Sequence, residues 1–207
     1  MKQEEALRLQ EMWNIENTLK EQGFSIIAGV DEAGRGPLAG DVYAAAVILP
    51  DGILIEGLND SKKLSEKKRD LLYDKITEAA LSYCVAVATV EEIDEFNIRN
   101  ATYIAMNRAI NALTIKPQYV LVDGDCIKDC PISHECVVKG DSKSILIAAA
   151  SILAKVTRDR YMVEMAEKYP GYGFEKHKGY GTSVHIAALK ELGASEIHRK
   201  TFIKKFV

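Results

Sequence analysis

Two adjacent carboxylates follow a short apolar run near the start of the chain, and a glycine-rich turn comes directly after them. The run is Ser25-Ile-Ile-Ala-Gly-Val30, the acids are Asp31 and Glu32, and the chain continues as Ala33-Gly-Arg-Gly-Pro-Leu-Ala-Gly40. The run predicts a buried strand, so the acids come at its end, beside flexible backbone that can approach a ligand closely. Buried charge is costly unless it is paired or binds a metal. The pattern therefore indicates a metal site that faces a phosphate, with a turn-capping role for both acids as the alternative.

The size and composition of the chain fit one globular domain. It has 207 residues, 47% of them hydrophobic and 28% charged, which is ordinary for a soluble protein. No apolar stretch approaches the ~20 residues that a membrane span requires, and the acidic, helical start at residues 1–5 does not fit a secretion signal. We therefore expect a cytoplasmic protein that does not enter a membrane.

The net charge of −3 excludes binding to nucleic acid through a broadly basic surface. Such binding would depend on local basic patches. Two are present in the sequence, one at residues 176–178 and one at residues 198–200 together with Lys204 and Lys205.

Three of the four cysteines cluster in the second half of the chain. Cys126, Cys130 and Cys136 surround His134, while Cys84 lies apart. The spacing matches no strong zinc-ligand pattern. Reduced thiols without a ligand are therefore expected in a cytosolic chain, with zinc or a disulfide as the alternatives.

The hydrophobic periodicity predicts an α/β domain with a mixed sheet. Strands are expected at residues 25–31, 42–49, 83–90, 119–122 and 136–138. Helices are expected at residues 4–20, 65–80, 91–113 with a break near residues 96–97, 144–168 and 182–192, and a loop at residues 170–181. The short link between the first two strands indicates an antiparallel pair.

Two more acids come at predicted strand ends. Asp123 follows the strand at 119–122, and Asp141 follows the strand at 136–138 and precedes a helix. Strand ends in an α/β sheet converge on one crevice, so neighbouring strands would bring these acids to Asp31 and Glu32. Carboxylates of this kind suit Mg²⁺ or Mn²⁺, and two such ions can activate water and stabilise the leaving oxygen of a phosphodiester.

Each of the later acids also has a simpler explanation. Asp123 can belong to a plain turn with the glycine after it, and Asp141 can be the N-cap of the segment that follows. Asp125 and Asp159 compete for the same ligand roles. An ion pair with Lys155, one helical turn away, accounts for Asp159.

Six motifs, in this order along the chain, resemble the ribonuclease HII family. They are Gly29–Gly40, Asn59–Leu64, Leu121–Gly124, Lys139–Lys143, Ala149–Lys155 and His177–Thr182. The resemblance runs from about residue 24 to residue 203. It implies a ribonuclease H-like mixed sheet flanked by helices, with a helical C-terminal segment from about residue 170. It also divides the chain into an N-terminal helix (residues 1–22) outside the resemblance and a catalytic domain (residues 23–207).

The resemblance implies hydrolysis of RNA strands paired to DNA, including single ribonucleotides embedded in duplex DNA, so the expected partner is nucleic acid. By motif, the metal-binding and catalytic acids would be Asp31, Glu32, Asp123 and Asp141. The Gly34-Arg35-Gly36 stretch would sense the ribonucleotide through backbone groups at its 2′-hydroxyl and flanking phosphate. Tyr180 would pack on the sugar of the next nucleotide, and Lys62 would contact a phosphate. Asp41 departs from the family, which commonly has proline there, and we do not expect it to be a ligand.

The accessory residues have alternatives as well. Tyr180 can be a core aromatic, although its basic and aromatic neighbours are typical of stacking on sugars or bases. Lys62 and Lys63 can simply be solvated.

Two other classes of function also remain open. The first is a nucleic-acid binding module without catalysis, which four acids would oppose because they repel phosphate. The second is a phosphoryl-transfer enzyme, whose usual glycine motifs are not found in the sequence.

Overall fold

A five-stranded mixed sheet forms the centre of the molecule in the computed structural model, which describes residues 1–124 and 127–207. The strands in chain order are β1 (Ile27–Ala33), β2 (Val42–Ile48), β3 (Ser82–Ala88), β4 (Tyr119–Asp123) and β5 (His134–Val137). They lie in the order β3-β2-β1-β4-β5. β2 is antiparallel to both β1 and β3, whereas β4 is parallel to both β1 and β5. The predicted mixed sheet and its antiparallel first pair are confirmed.

Helices cover both faces of the sheet. They are α1 (Gln3–Glu11), α2 (Asn14–Glu21), α3 (Glu66–Ala79), α4 (Val90–Asn111), α5 (Ile145–Lys168), α6 (Phe174–His177), α7 (Ser183–Leu192) and α8 (Lys200–Ile203). The predicted break in α4 is confirmed at Asn97, whose φ is 66°. α6 lies within the segment predicted as a loop, and α8 was not predicted. Both have four residues, which is too short to show a hydrophobic period.

The single helix predicted at residues 4–20 is wrong, because the chain turns between α1 and α2. Met12 and Trp13 lie at this turn, and both are buried. The Met12 carbonyl accepts a hydrogen bond from the Ile145 N–H (3.0 Å), and Trp13 Nε1 donates to the Ile53 carbonyl (2.9 Å). Both partners, Ile145 and Ile53, belong to other parts of the chain, so these are tertiary contacts and not hydrogen bonds within a helix. The N-terminal helices therefore pack into the same core as the sheet.

α5 and α4 lie on opposite faces of the sheet. α5 is buried continuously from Ile145 to Ala154. Gly29 of β1 makes the close approach of α5 possible, since a Cβ atom at this position would come to 2.2 Å from the Leu146 carbonyl carbon. Among the described residues, no helix is both long and apolar enough to cross a membrane.

Candidate active site

Asp31 and Glu32 lie within the last part of β1. The strand continues to Ala33, which pairs with Tyr43, so the predicted end at Asp31 is wrong by two residues. Adjacent strand residues point to opposite faces of a sheet. Asp31 accordingly lies on the α5 side, where the Ser151 side chain hydrogen-bonds it. Glu32 Oε1 lies 3.5 Å from Arg35 Nη1.

Asp123 ends β4, the strand next to β1. Its Oδ1 atom accepts hydrogen bonds from the Gly140 N–H (2.6 Å) and the Asp141 N–H (3.3 Å). These bonds attach the end of β4 to the short 3-10 turn that contains Asp141. The alternative that Asp141 is the N-cap of the following helix is wrong. Ser144 caps α5 instead, through its Oγ atom.

Asp31, Glu32 and Asp123 line one cleft of about 190 Å³. The same cleft contains five more residues predicted from the sequence, namely Gly34, Arg35, Gly36, Lys62 and Tyr180. Asp141 is not part of this lining, but its Oδ2 atom lies 3.6 Å from Lys62 Nζ. A larger groove of about 680 Å³, between α4 and residues 194–200, contains none of the predicted site residues.

The acids of the cleft repel one another. Burial raises the pKa of Asp31 well above its ordinary value, and the charges of Glu32 and Asp123 act in the same direction. Burial also raises the pKa of Asp141, again helped by Asp123. Burial of Lys62 opposes the effect of the surrounding acids, which nevertheless raise the pKa of this lysine. Acids that are held together at this electrostatic cost are typical of a cation site.

The acids influence one another electrostatically, but they are not spaced as a set of metal ligands. In the part of the chain that the structure describes, no three His, Cys, Asp or Glu side chains lie close enough to form a ready-made metal site. One reason is that Asp31 and Glu32 leave the strand on opposite faces. Their oxygen donors nevertheless suit Mg²⁺ or Mn²⁺ in chemical type.

The segment from Gly34 to Asp41, called here the glycine turn, runs along one side of the cleft. Gly34 has a φ of +99°, and a Cβ atom there would come to 2.1 Å from Arg158 Nε. At Gly36 a Cβ atom would lie 3.6 Å from Tyr180 Cε1, so the tyrosine ring lies beside this residue. Tyr180 is 45% exposed, and the alternative that it is a core aromatic is wrong.

Three charged residues that were not predicted as site residues also have defined contacts in or near the cleft. Asp41 Oδ1 accepts a hydrogen bond from the Val90 N–H (3.0 Å), at the start of α4. The predicted ion pair between Lys155 and Asp159 is confirmed at 2.7 Å. Lys155 also lines the cleft, a position that the sequence did not indicate.

The predicted basic patch at residues 198–200, with Lys204 and Lys205, is wrong for two of its five members, whereas its three lysines are exposed. His198 and Arg199 are buried, with 1% and 0% of their surface exposed. Arg199 and the equally buried Arg158 donate hydrogen bonds to backbone carbonyls of the glycine turn. Both arginines were missed as site residues. The sequence signal that could have indicated them is the glycine turn. A short segment with glycine and proline forms no regular hydrogen bonds of its own, so its buried carbonyls need donors from other parts of the chain.

The cysteines show no disulfide among those described, which are Cys84, Cys130 and Cys136. Cys126 and the competing ligand candidate Asp125 lie outside the described residues.

Residues 28–205 match the family model of ribonuclease HII. The chain belongs to the ribonuclease HII family. This family degrades RNA in RNA–DNA hybrids, and its members are endoribonuclease hydrolases that depend on divalent metal. The chain is 54% identical to the ribonuclease HII of Clostridioides difficile (strain 630), over 98% of this chain and 80% of that protein. It is 58% identical to that of Marinomonas sp. (strain MWYL1), over 88% of this chain and 93% of that protein.

The fold agrees with the family. The crystal structure of the ribonuclease H2 from Pyrococcus horikoshii OT3 superposes with a TM-score of 0.74 at 30% identity, and the match covers 87% of this chain and 96% of that one. The ribonuclease H-like fold expected from the resemblance is therefore confirmed.

Proposed function

We propose that the chain uses divalent cations, Mg²⁺ or Mn²⁺, to hydrolyse the RNA strand of RNA–DNA hybrids and to cut 5′ of a single ribonucleotide embedded in duplex DNA. The observation that carries this proposal is the cleft, in which three acids face the glycine turn and Tyr180. The acids supply the chemistry of phosphodiester hydrolysis, and the turn with the tyrosine supplies a means to recognise one nucleotide.

Asp31, Glu32, Asp123 and Asp141 would hold the cations. Support comes from their oxygen donors and from the raised pKa of Asp31 and Asp141, because a bound cation would relieve the repulsion between the carboxylates. Such ions, when bound, lower the pKa of a water nucleophile and stabilise charge on the leaving 3′ oxygen. The products would then be a 5′-phosphate and a 3′-hydroxyl.

The glycine turn would recognise the 2′-hydroxyl without consuming it. Within the described chain, the N–H groups of Gly34, Arg35 and Gly36 form no hydrogen bond, so they are available to a ligand. The 2′-hydroxyl is the group that distinguishes RNA from DNA at a single position. Tyr180 would pack on the following sugar, where a deoxyribose has no hydroxyl to clash. Lys62, whose side chain is 76% exposed, would contact a phosphate.

The test is cleavage-site mapping on a labelled DNA duplex with one ribonucleotide, with and without Mg²⁺. We expect a single metal-dependent cut on the 5′ side of the ribonucleotide and a 3′-hydroxyl on the upstream fragment. A cut on the 3′ side with a 2′,3′-cyclic phosphate would mean attack by the 2′-hydroxyl, and the proposal would be wrong. Tight binding to the duplex without any cleavage would favour the non-catalytic binding module.

A further inference from the structure

Arg199 is the most completely buried charged side chain near the cleft, with 0% of its surface exposed. Its guanidinium donates hydrogen bonds to five carbonyls, all of them in the glycine turn. Nε and Nη2 donate to Gly40 (2.9 and 2.7 Å), and Nη2 also donates to Gly34 (2.5 Å) and Asp41 (3.4 Å). Nη1 donates to Arg35 (3.0 Å) and Pro37 (2.8 Å).

These bonds take the place of an ion pair. In the described chain no carboxylate forms a salt bridge with Arg199, although burial of a charge is costly without a partner. The planar guanidinium has five N–H donors in a fixed arrangement, whereas a lysine ammonium has three on a flexible stem. Arginine is thus suited to hold several carbonyls of one short segment at once.

The direction of the carbonyls fixes the direction of the N–H groups. Because the Gly34 and Arg35 carbonyls bind Arg199 in the interior, the peptide planes of this part of the turn are held in one orientation. These two planes contain the N–H groups of Arg35 and Gly36, which remain without a partner in the described chain. Further along the turn, the N–H groups of Leu38 and Gly40 bind the carbonyls of Gly179 and Ile197, each at 2.8 Å.

A second buried arginine supports the other end of the turn. Arg158 donates to the carbonyls of Ala39 and Asp41 (3.1 Å each) and of Lys178 (3.0 Å), two residues before Tyr180. It does not bond to the carbonyls of Gly34 or Arg35 in the described chain. The part of the turn that borders the acids therefore depends on Arg199 alone for its carbonyl partners.

We propose that Arg199 is a positioning residue for ribonucleotide selectivity, which holds the carbonyls of the glycine turn inward so that its unbonded N–H groups face the nucleotide in the cleft. This inference rests on the proposed recognition of a single ribonucleotide. Arg199 itself touches no substrate. Its removal should loosen the selection of the 2′-hydroxyl more than it weakens general binding to DNA.

The test compares the dissociation constants of two duplexes in Ca²⁺, one all-DNA and one with a single embedded ribonucleotide. For the wild type we expect the ribonucleotide to improve binding by about tenfold or more, the effect of one hydrogen bond to an oriented donor. Arg199→Lys keeps the positive charge but cannot hold five carbonyls, so it should reduce this ratio to within about twofold of one. The dissociation constant for the all-DNA duplex should stay within about twofold of the wild-type value.

Ile110→Ala is the matched control for lost stability. Ile110 is buried in α4, within the core on the sheet face opposite α5, and lies in neither the cleft nor the glycine turn. This variant should keep the wild-type ratio at a comparable loss of melting temperature. Should Arg199→Lys fail to fold, Phe202→Leu replaces it, because the Phe202 ring packs 5.2 Å from the guanidinium and its loss should lower the ratio partly.

The outcomes separate the two proposals. If the wild type binds both duplexes equally and leaves the single ribonucleotide uncut in Mg²⁺, the proposed function fails. If the wild type discriminates and the folded Arg199 variant, or Phe202→Leu in its place, discriminates equally well, the role of Arg199 is refuted. Equal loss of discrimination in Ile110→Ala would also refute it, since the effect would then follow stability alone.

Discussion

Asp31 is buried between α5 and the other acids, and its pKa is raised by burial and by the charges of Glu32 and Asp123. Asp31→Asn removes the charge and keeps the size of the side chain. We expect cleavage to fall by at least about a thousandfold, which corresponds to ~4 kcal/mol of transition-state stabilisation. In EDTA the melting temperature should stay equal or rise, because a buried like charge is removed.

Asp51→Asn is the control for this prediction. Asp51 is an exposed acid that pairs with Lys20 at 2.6 Å, and it does not line the cleft. This change should leave cleavage unchanged. Near-wild-type turnover by Asp31→Asn, measured beside this control, would remove Asp31 from the metal site.

Tyr180 offers a second prediction at the scale of one residue. Its exposed ring lies beside Gly36, and both line the cleft. Tyr180→Ala should lower kcat/KM for the single-ribonucleotide duplex by about tenfold or more, as expected for the loss of one stacking contact. Tyr180→Phe keeps the ring and should behave like the wild type. Mn²⁺ titration by calorimetry should give the same affinity for all three proteins, and equal cleavage by Tyr180→Ala would contradict the role of the ring.

The acids and the glycines could be predicted from the sequence, whereas the buried arginines could not. An acid directly after an apolar run is a local signal, and so is a glycine turn. Arginine is almost never fully buried, so the sequence alone predicts that Arg158 and Arg199 lie on the surface. Their partners are backbone carbonyls up to 165 positions away in the chain. Because every residue has a backbone carbonyl, the sequence does not show which carbonyls an arginine will bind.

At the scale of elements, two imidazoles, His185 of α7 and His198 after it, connect the C-terminal segment to the loop that contains Tyr180. The Ser195 N–H donates to His198 Nδ1 (2.9 Å), so the proton of this imidazole lies on Nε2, which faces His185 Nε2 at 3.0 Å. His185 Nδ1 then donates to the Tyr180 carbonyl (2.9 Å). The chain of hydrogen bonds requires both imidazoles to be neutral. A second proton on either ring would place two donors against each other.

This arrangement predicts an acid-sensitive C-terminal region. Burial, together with His185, lowers the pKa of His198 to about 4. In the unfolded chain the imidazole titrates near 6.5, so its contribution to stability is complete above that pH and is lost as the pH falls from about 6.5 to 4. The wild type should lose at most about 1.4 kcal/mol of stability per pH unit in this range through His198.

The measurement is the free energy of unfolding by urea at several pH values. His198→Gln keeps a donor toward His185 but does not titrate, so its stability should fall less steeply below pH 6.5. Acids with a raised pKa, such as Asp41, act with the opposite sign in both proteins and cancel in the comparison. Parallel curves for the two proteins would contradict the neutral His198–His185 pair.

Element boundaries were less predictable than the elements. β1 extends past Asp31 because Ala33 still pairs with Tyr43 of β2, and this pairing is not visible in the apolar run. α1 and α2 separate because Met12 and Trp13 find backbone partners in distant segments. In both places tertiary contacts override the local pattern.

At the scale of the whole molecule, residues 1–22 form part of the main core. Leu9, Met12, Trp13 and Leu19 are all buried there. Each contributes ~1.5–3 kcal/mol by burial, so together they approach the whole net stability of an ordinary domain, ~5–15 kcal/mol. Deletion of residues 1–22 should therefore give a protein that is unfolded or aggregated at 37 °C. Deletion of residues 1–2, which precede α1, should leave the melting temperature unchanged.

Circular dichroism and thermal melts of the two deletion variants test whether residues 1–22 are needed for folding. A cooperative melt of the longer deletion near the wild-type temperature would show that these residues are an appendage. The sequence predicted them as a helix outside the family resemblance, and the strand order with its two helical faces was implied by the resemblance. Hydrophobic periodicity alone predicted the helices and strands but not which strands lie next to each other. Strand pairing depends on contacts between distant parts of the chain.

The long separation of Arg199 from the segment that it holds has a consequence for synthesis. All four acids have been translated once residue 141 is added, and the glycine turn ends at residue 41. Arg199 follows that turn by 158 residues, which at about 5–20 residues per second takes roughly 8–30 s. A ribosome-bound chain therefore has its acids well before its turn has a guanidinium partner. Under the role proposed for Arg199, discrimination between RNA and DNA is acquired late in translation, after the residues proposed for phosphodiester hydrolysis are already in place.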